Sequence, residues 1–201
     1  MSVSVSGRRE GHRVRVVFGA VAAVLLSVSA VNAQMGSFTD KRDGKTYRTV
    51  KIGNQTWMAE NLNYKTGKSW CYDNKDGNCQ KYGRLYNWNT AMKACPAGWR
   101  LPTRQDWNDL VQAAGGKDVA GTKLKSKSQW DGTNDYGFSA LPGGYRYSLC
   151  SFYRAGRGGY WWSATEGGSG DAWYWGMDSD DGGVNENYND KDLGFSVLCV
   201  R

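Results

Sequence analysis

Residues able to do covalent or metal chemistry are few and unevenly placed in this 201-residue chain. The single histidine, His12, lies before Ala33, whereas all five cysteines and all ten tryptophans lie beyond it. Without histidine, the stretch after Ala33 lacks a member for a Ser-His-Asp triad, a Cys-His pair or a His-ligated zinc site. Carboxylates are the remaining acid–base groups. Glu166 with Asp171 or Asp178 could supply the pair that glycoside hydrolysis uses, but nineteen acidic residues also create many accidental pairs. Asp178, Asp180 and Asp181, followed by Gly182 and Gly183, bring together oxygen ligands of the kind calcium takes. Their spacing departs from the EF-hand pattern, and an Asp/Gly-rich run between strands suits a solvated turn. No metal or cofactor is expected.

The asymmetry about Ala33 has a physical reading. Arg8, Arg9, Arg13 and Arg15 precede an apolar run from Val16 to Val31 that ends in Val31-Asn32-Ala33, the layout of a secretory signal peptide spanning residues 1–33. The run is shorter than the roughly 20 residues of a membrane-spanning helix, and no cysteine stands at this boundary to be acylated. A secreted, periplasmic or cell-surface product of residues 34–201 is expected, with no stable membrane span once the signal is removed. The formal charge of +7 then falls to +4, from 22 basic and 18 acidic residues. Only Lys123, Lys125 and Lys127 form a basic run, so no nucleic-acid partner is expected. The remaining length suits one domain with a substantial core.

Export makes the cysteines readable as staples. Cys71 and Cys79 bracket YDNKDGN, whose composition suits a tight loop, and are expected to pair. Cys95 and Cys199 would then close almost the whole domain, an effect of about 4–5 kcal/mol in the chain-entropy account. Cys150 is left as a free thiol, expected to be buried.

The elements that must position these residues read as α+β: short strands, two helices and long loops. TYRTVKI at 46–52, QTWM at 55–58, YWWSAT at 160–165, AWYWGM at 172–177 and FSVLCV at 195–200 have strand character. A first helix is expected from about Tyr86 to Ala94, with Trp88 and Met92 four residues apart. The second is capped by Thr103 with Asp106 three residues on, buries Trp107, Leu110, Val111 and Ala114, and stops at Gly115-Gly116.

Five motifs carry a resemblance: IGNQTWMAENLNY at 52–64, KYGRLYNW at 81–88, CPAGWRLPTRQDW at 95–107, YWWSATE at 160–166 and GFSVLCVR at 194–201. Together they resemble the Fibrobacter succinogenes major paralogous domain over residues 40–201, a family found on exported and surface proteins. GWRLPT before a helix and the terminal strand are also similar to the formylglycine-generating branch of the C-type-lectin-like fold. That likeness implies a single disulfide-stapled domain whose N- and C-terminal strands pair, with a Cys95–Cys199 bridge matching that of such domains. The enzymes of this branch use two neighbouring copper-binding cysteines, whereas Cys150 stands alone. Calcium-dependent lectins use Glu-Pro-Asn or Gln-Pro-Asp, but Pro96, Pro102 and Pro142 are the only prolines and none has that context.

Binding is therefore the expected function. After residue 144 the chain concentrates aromatics beside arginines, and strand alternation sends neighbouring rings to opposite faces, so that Trp161 and Trp162 should not both be core. The candidate ligand-binding residues are Tyr145, Tyr147, Tyr153, Arg154, Arg157, Trp161, Trp162, Trp173 and Trp175, with no catalytic residue. They could stack on polysaccharide or anchor a cell-surface protein. The expectation is a non-catalytic binding or adhesion module. The competing classes are a carboxylate-based glycoside hydrolase, a Cys-dependent oxidase and a structural envelope component.

Overall fold

β-branched and aromatic residues alternate from Thr46 to Ile52, and in the computed structural model, which describes Met1, Ser2, Ser4, Gly7 and residues 34–201, they form a strand. Apart from those four positions, the expected signal peptide lies outside the described residues. The residues from Gln34 on lie in one compact unit. In it, β1 (Gln34–Thr39), β2 (Thr46–Ile52) and β3 (Gln55–Met58) make an antiparallel meander.

The free edge of β3 receives the C-terminus. Thr56 and Arg201 exchange backbone bonds of 2.9 and 3.0 Å, Met58 N donates to Cys199 O at 2.9 Å, and Leu62 N donates to Val197 O at 2.8 Å. This pairing divides the expected strand at 195–200. Only Phe195–Ser196 joins the second sheet (the strand β11), while Val200 bridges Trp57 and Arg100. Cys95 and Cys199 are bonded across a separation of 104 residues, and Cys71 and Cys79 across 8.

The second sheet runs in the order β10 (Asn185–Asp190), β9 (Asp171–Asp178), β8 (Gly158–Glu166), β11, β5 (Leu85–Tyr86), β4 (Ser69–Trp70). A hairpin of β6 (Gly143–Arg146) and β7 (Phe152–Ala155) attaches through the parallel pair β6–β8. β11 also lies parallel to β8, with Ser196 beside Trp161.

Four helices complete the α+β architecture, two more than expected. The segment between Cys71 and Cys79 is not a simple loop. After a 3-10 turn at Tyr72–Asn74, α1 (Asp76–Tyr82) carries Cys79 on its buried side. The helix expected from Tyr86 starts later, as α2 (Trp88–Ala94), because the Asn87 side chain caps it by accepting from Thr90 N. Its buried face is Trp88, Ala91 and Ala94, while Met92 is exposed. Helix α4 (Lys117–Leu124) packs so closely on the 182–183 loop that a side chain at Gly121 would reach 2.0 Å from Gly183 O.

The capped helix α3 (Arg104–Ala113) matches its sequence signature and buries Trp107, Leu110, Val111 and Ala114. Trp107 stacks on Trp175 (5.7 Å between centroids, 9° between planes) and touches Trp57, Phe138 and Trp161. Its neighbour Asp106 fixes the helix start. It accepts from Thr103 N (2.7 Å), Thr103 Oγ1 (2.6 Å), Gln55 Nε2 (2.6 Å) and both Arg100 terminal nitrogens (2.5 and 2.8 Å). Burial alone would push this carboxyl up. The Arg100 and Thr103 hydrogen bonds outweigh burial and bring it to about 2.

Because the folded value lies below the unfolded one, Asp106 adds stability that is present above pH 4 and lost as pH falls toward 2. Asp106→Asn should therefore lower the unfolding free energy at pH 7 by about 2 kcal/mol and flatten its decline between pH 4 and 2, both read from denaturant titrations. An unchanged acid limb would show that this carboxylate does not hold the helix start.

Candidate functional site

The register of β8 on β9 sets Tyr160 opposite Gly176, Trp161 opposite Trp175 and Trp162 opposite Tyr174. One face of this ladder, with Trp161 and Trp175, meets Trp107 of α3. The other face meets Phe195 of β11, whose ring centroid lies 4.4 Å from that of Trp162, 4.7 Å from Tyr174 and 5.8 Å from Tyr160. Both faces are therefore covered, and Trp161 and Trp162 are both 0% exposed. The expectation that one of them must face solvent is corrected, because alternation puts neighbours on opposite faces without leaving either face wet. Their indole N–H groups donate to Asn61 Oδ1 and Tyr86 O, each at 2.7 Å.

Where the Phe195 cover ends, a groove of about 450 Å³ opens. Tyr145, Tyr160 and Tyr174 form its aromatic wall with Phe195, and Arg154, Asp178, Asn185 and Asn189 supply its polar groups. Tyr145 meets Tyr160 edge to face at 5.3 Å. Arg154 Nη2 donates to Asp178 Oδ1, so the two charges among the lining residues cancel. Arg154 holds a left-handed backbone (φ +67°), strain of the kind that concentrates at binding sites. Burial, reinforced by the Asp178 charge, pushes the Tyr160 phenol up to about 12, and burial raises Tyr174 as well. Both hydroxyls are thus hydrogen-bond donors throughout the physiological range.

Of the residues expected to bind ligand, Tyr145, Tyr147 and Arg154 line this groove. Tyr153 is exposed beside Tyr145, and Arg157 points outward to Asp180 at 2.8 Å. Trp161, Trp162 and Trp175 are core and are corrected as such. Trp173 belongs to the α3 face, where it packs on Tyr188 and lies under the Arg104 guanidinium at 3.8 Å. Asn185 and Asn189 also line the groove and were not expected there, because the strand NENYND at 185–190 carries no apolar periodicity; Asp178 was singled out as a carboxylate for hydrolysis or calcium, and Tyr160 and Tyr174 were legible only as aromatics. Cys150 is exposed rather than buried. It stands at the tip of the β6–β7 hairpin, where Tyr147 N donates to Ser151 O and Cys150 N to Tyr147 O.

The acidic residues fall into other roles. Glu166 and Asp178 lie at opposite ends of the β8–β9 ladder, and Glu166 pairs with Lys191 at 3.4 Å. At the 178–181 loop, the cation is a side chain. Lys125, 2% exposed, donates to Asp178 O (3.0 Å) and Asp181 O (3.1 Å) and pairs with Asp131 at 2.8 Å. Asp181 Oδ1 accepts from Gly183 N, and Asp178 and Asp180 are bound by arginines. Lys125 thus satisfies carbonyls that a calcium ion would need.

Saturating calcium should leave the unfolding midpoint unchanged, since no binding to the folded state means no linkage. Lys125→Met should cost about 1–2 kcal/mol by removing the donor to two part-buried carbonyls. A calcium-dependent rise in the midpoint would contradict this arrangement.

Comparison with known proteins gave one result. The model of the Fibrobacter succinogenes major domain matches residues 50–201, which include β2 from Val50, all of β3 to β11 and every groove residue. No curated protein and no solved structure matched the chain. The matched segment is well over half of the sequence, and the chain belongs to the Fibrobacter succinogenes major domain family.

Proposed function

We propose that this protein is an exported, non-catalytic module with a C-type-lectin-like fold that binds carbohydrate through the Tyr145–Tyr160–Tyr174 groove. The observation that carries the reading is the composition of that groove. Aromatic faces give the apolar side of a sugar ring a surface to lie on, and Arg154, Asp178, Asn185 and Asn189 present the paired donors and acceptors that neighbouring hydroxyls require. Arg154 and Asp178 hold one another, so these groups are set in place before a ligand arrives and less ordering is needed on binding.

The pairing of β3 with the C-terminal segment and the Cys95–Cys199 bridge support the fold assignment. The two disulfides suit an oxidising, extracellular setting. Glycoside hydrolysis uses two carboxyl groups facing across the substrate. The groove has one carboxylate, Asp178, and Arg154 occupies it.

A glycan array probed with the oxidised protein tests the reading. Binding should be found, and Tyr160→Ala and Tyr174→Ala should each weaken it about tenfold, the loss of one stacked ring. Trp173→Ala, on the opposite face, should leave it unchanged. Absence of glycan binding, or binding that responds to Trp173 and not to the tyrosines, rules the groove out.

A further inference from the structure

Arg146 ends β6, where its backbone exchanges bonds of 2.9 and 2.8 Å with Gly194. Its guanidinium lies over Trp70, 3.9 Å from the ring centroid, and the residue as a whole is 8% exposed. Gly194 makes room for this stack, since a Cβ there would come 3.0 Å from Arg146 Cβ and 3.4 Å from the Trp70 ring. Among the described residues Arg146 forms no ion pair. Among those residues its side chain has one hydrogen-bond partner, Cys150 Sγ, at 2.9 Å from Nη2. A guanidinium carries five N–H donors, and a thiol is a weak acceptor. The other nitrogens of Arg146 are not sealed from solvent, so the charge stays open to an anion arriving from outside.

The remaining donors border a concavity of about 290 Å³ lined by Lys68, Trp70, Arg146, Ser148 and Asp192. Two cations face one carboxylate there, and the Ser148 hydroxyl adds a donor. We infer that this concavity is an oxyanion subsite that takes the acidic group of a sugar, a uronate carboxylate or a sulfate ester. The assignment to a sugar rests on the groove proposed above. Tyr147 and Leu193 line the groove, while their chain neighbours Arg146, Ser148 and Asp192 line the concavity. The groove and the concavity thus adjoin along the chain at the hairpin tip and beside Leu193. The planar fork of Arg146 matches either oxyanion with two parallel hydrogen bonds. Trp70 and Cys150 flank the guanidinium and report its occupancy.

The test is a low-salt NMR titration of the full oxidised chain with glucuronate, glucose 6-sulfate, glucose, acetate and a glutamate-rich peptide. Glucuronate or glucose 6-sulfate should bind about tenfold more tightly than glucose, the increment of a charge-assisted fork, and should shift the Trp70 indole and Cys150 signals. Which of the two binds separates the carboxylate from the sulfate source. Arg146→Met should abolish the preference. Should that variant not fold, Lys68→Met, at an exposed position, should reduce it about threefold. Equal affinity for glucose and both acidic sugars overturns the subsite and leaves the groove standing, as does a preference that survives both substitutions. Binding of acetate or of the peptide without any sugar overturns the subsite's assignment together with the groove.

Discussion

The β8–β9 ladder is covered on both faces at Trp161 and Trp162, and the rest of the molecule is arranged around that constraint. On one side the Trp107–Trp175 stack seats α3, and Asp106 locks the helix start to β3 through Gln55 and to the C-terminal bridge segment through Arg100. A break in the ladder between Trp162 and Glu166 frees Ala164 N to donate to Pro102 O at 2.7 Å, which ties β8 to the chain entering α3. On the other side, the two-residue strand β11 brings Phe195 over Trp162. Because β11 is so short, its cover ends before the ladder does. The groove is the part of the second face that Phe195 leaves open.

This arrangement explains which parts of the fold were legible in the sequence. Signals that depend on neighbours two to four residues away survived intact: the Thr103–Asp106 capping box, the buried spacing of α3, and the strands at 46–52 and 55–58. Both disulfides followed from cysteine placement. Features that depend on distant chain were not legible. Alternation correctly put Trp161 and Trp162 on opposite faces, but only the parallel insertion of β11 decides that both faces are dry. Likewise, the last residues were divided between two sheets by pairing with Thr56, Met58 and Leu62. Helix α1 hid inside a turn-like composition, and its place beside the Cys71–Cys79 bridge is set by covalent closure rather than propensity.

The same distinction applies to the site. Tyr145, Tyr147 and Arg154 were visible as aromatic and basic residues on a Gly-rich stretch. Asn185 and Asn189 were not, because an edge strand of polar residues resembles a loop until its partner is known. Lys125 gives the sharpest case. It read as one of three clustered surface lysines, yet long-range packing buries it under the 178–181 loop and makes it the cation of an acidic segment. That internal charge holds the Asp178 backbone, and the Asp178 side chain holds Arg154.

The central claim is that the open part of the second face is where this family member meets its ligand. Ring-selective tyrosine NMR during titration with an array-identified glycan tests it most directly. The account predicts that Tyr145, Tyr160 and Tyr174 shift together while the buried Tyr47 and Tyr86 stay fixed. Shifts confined to Tyr188, on the α3 face, would contradict it.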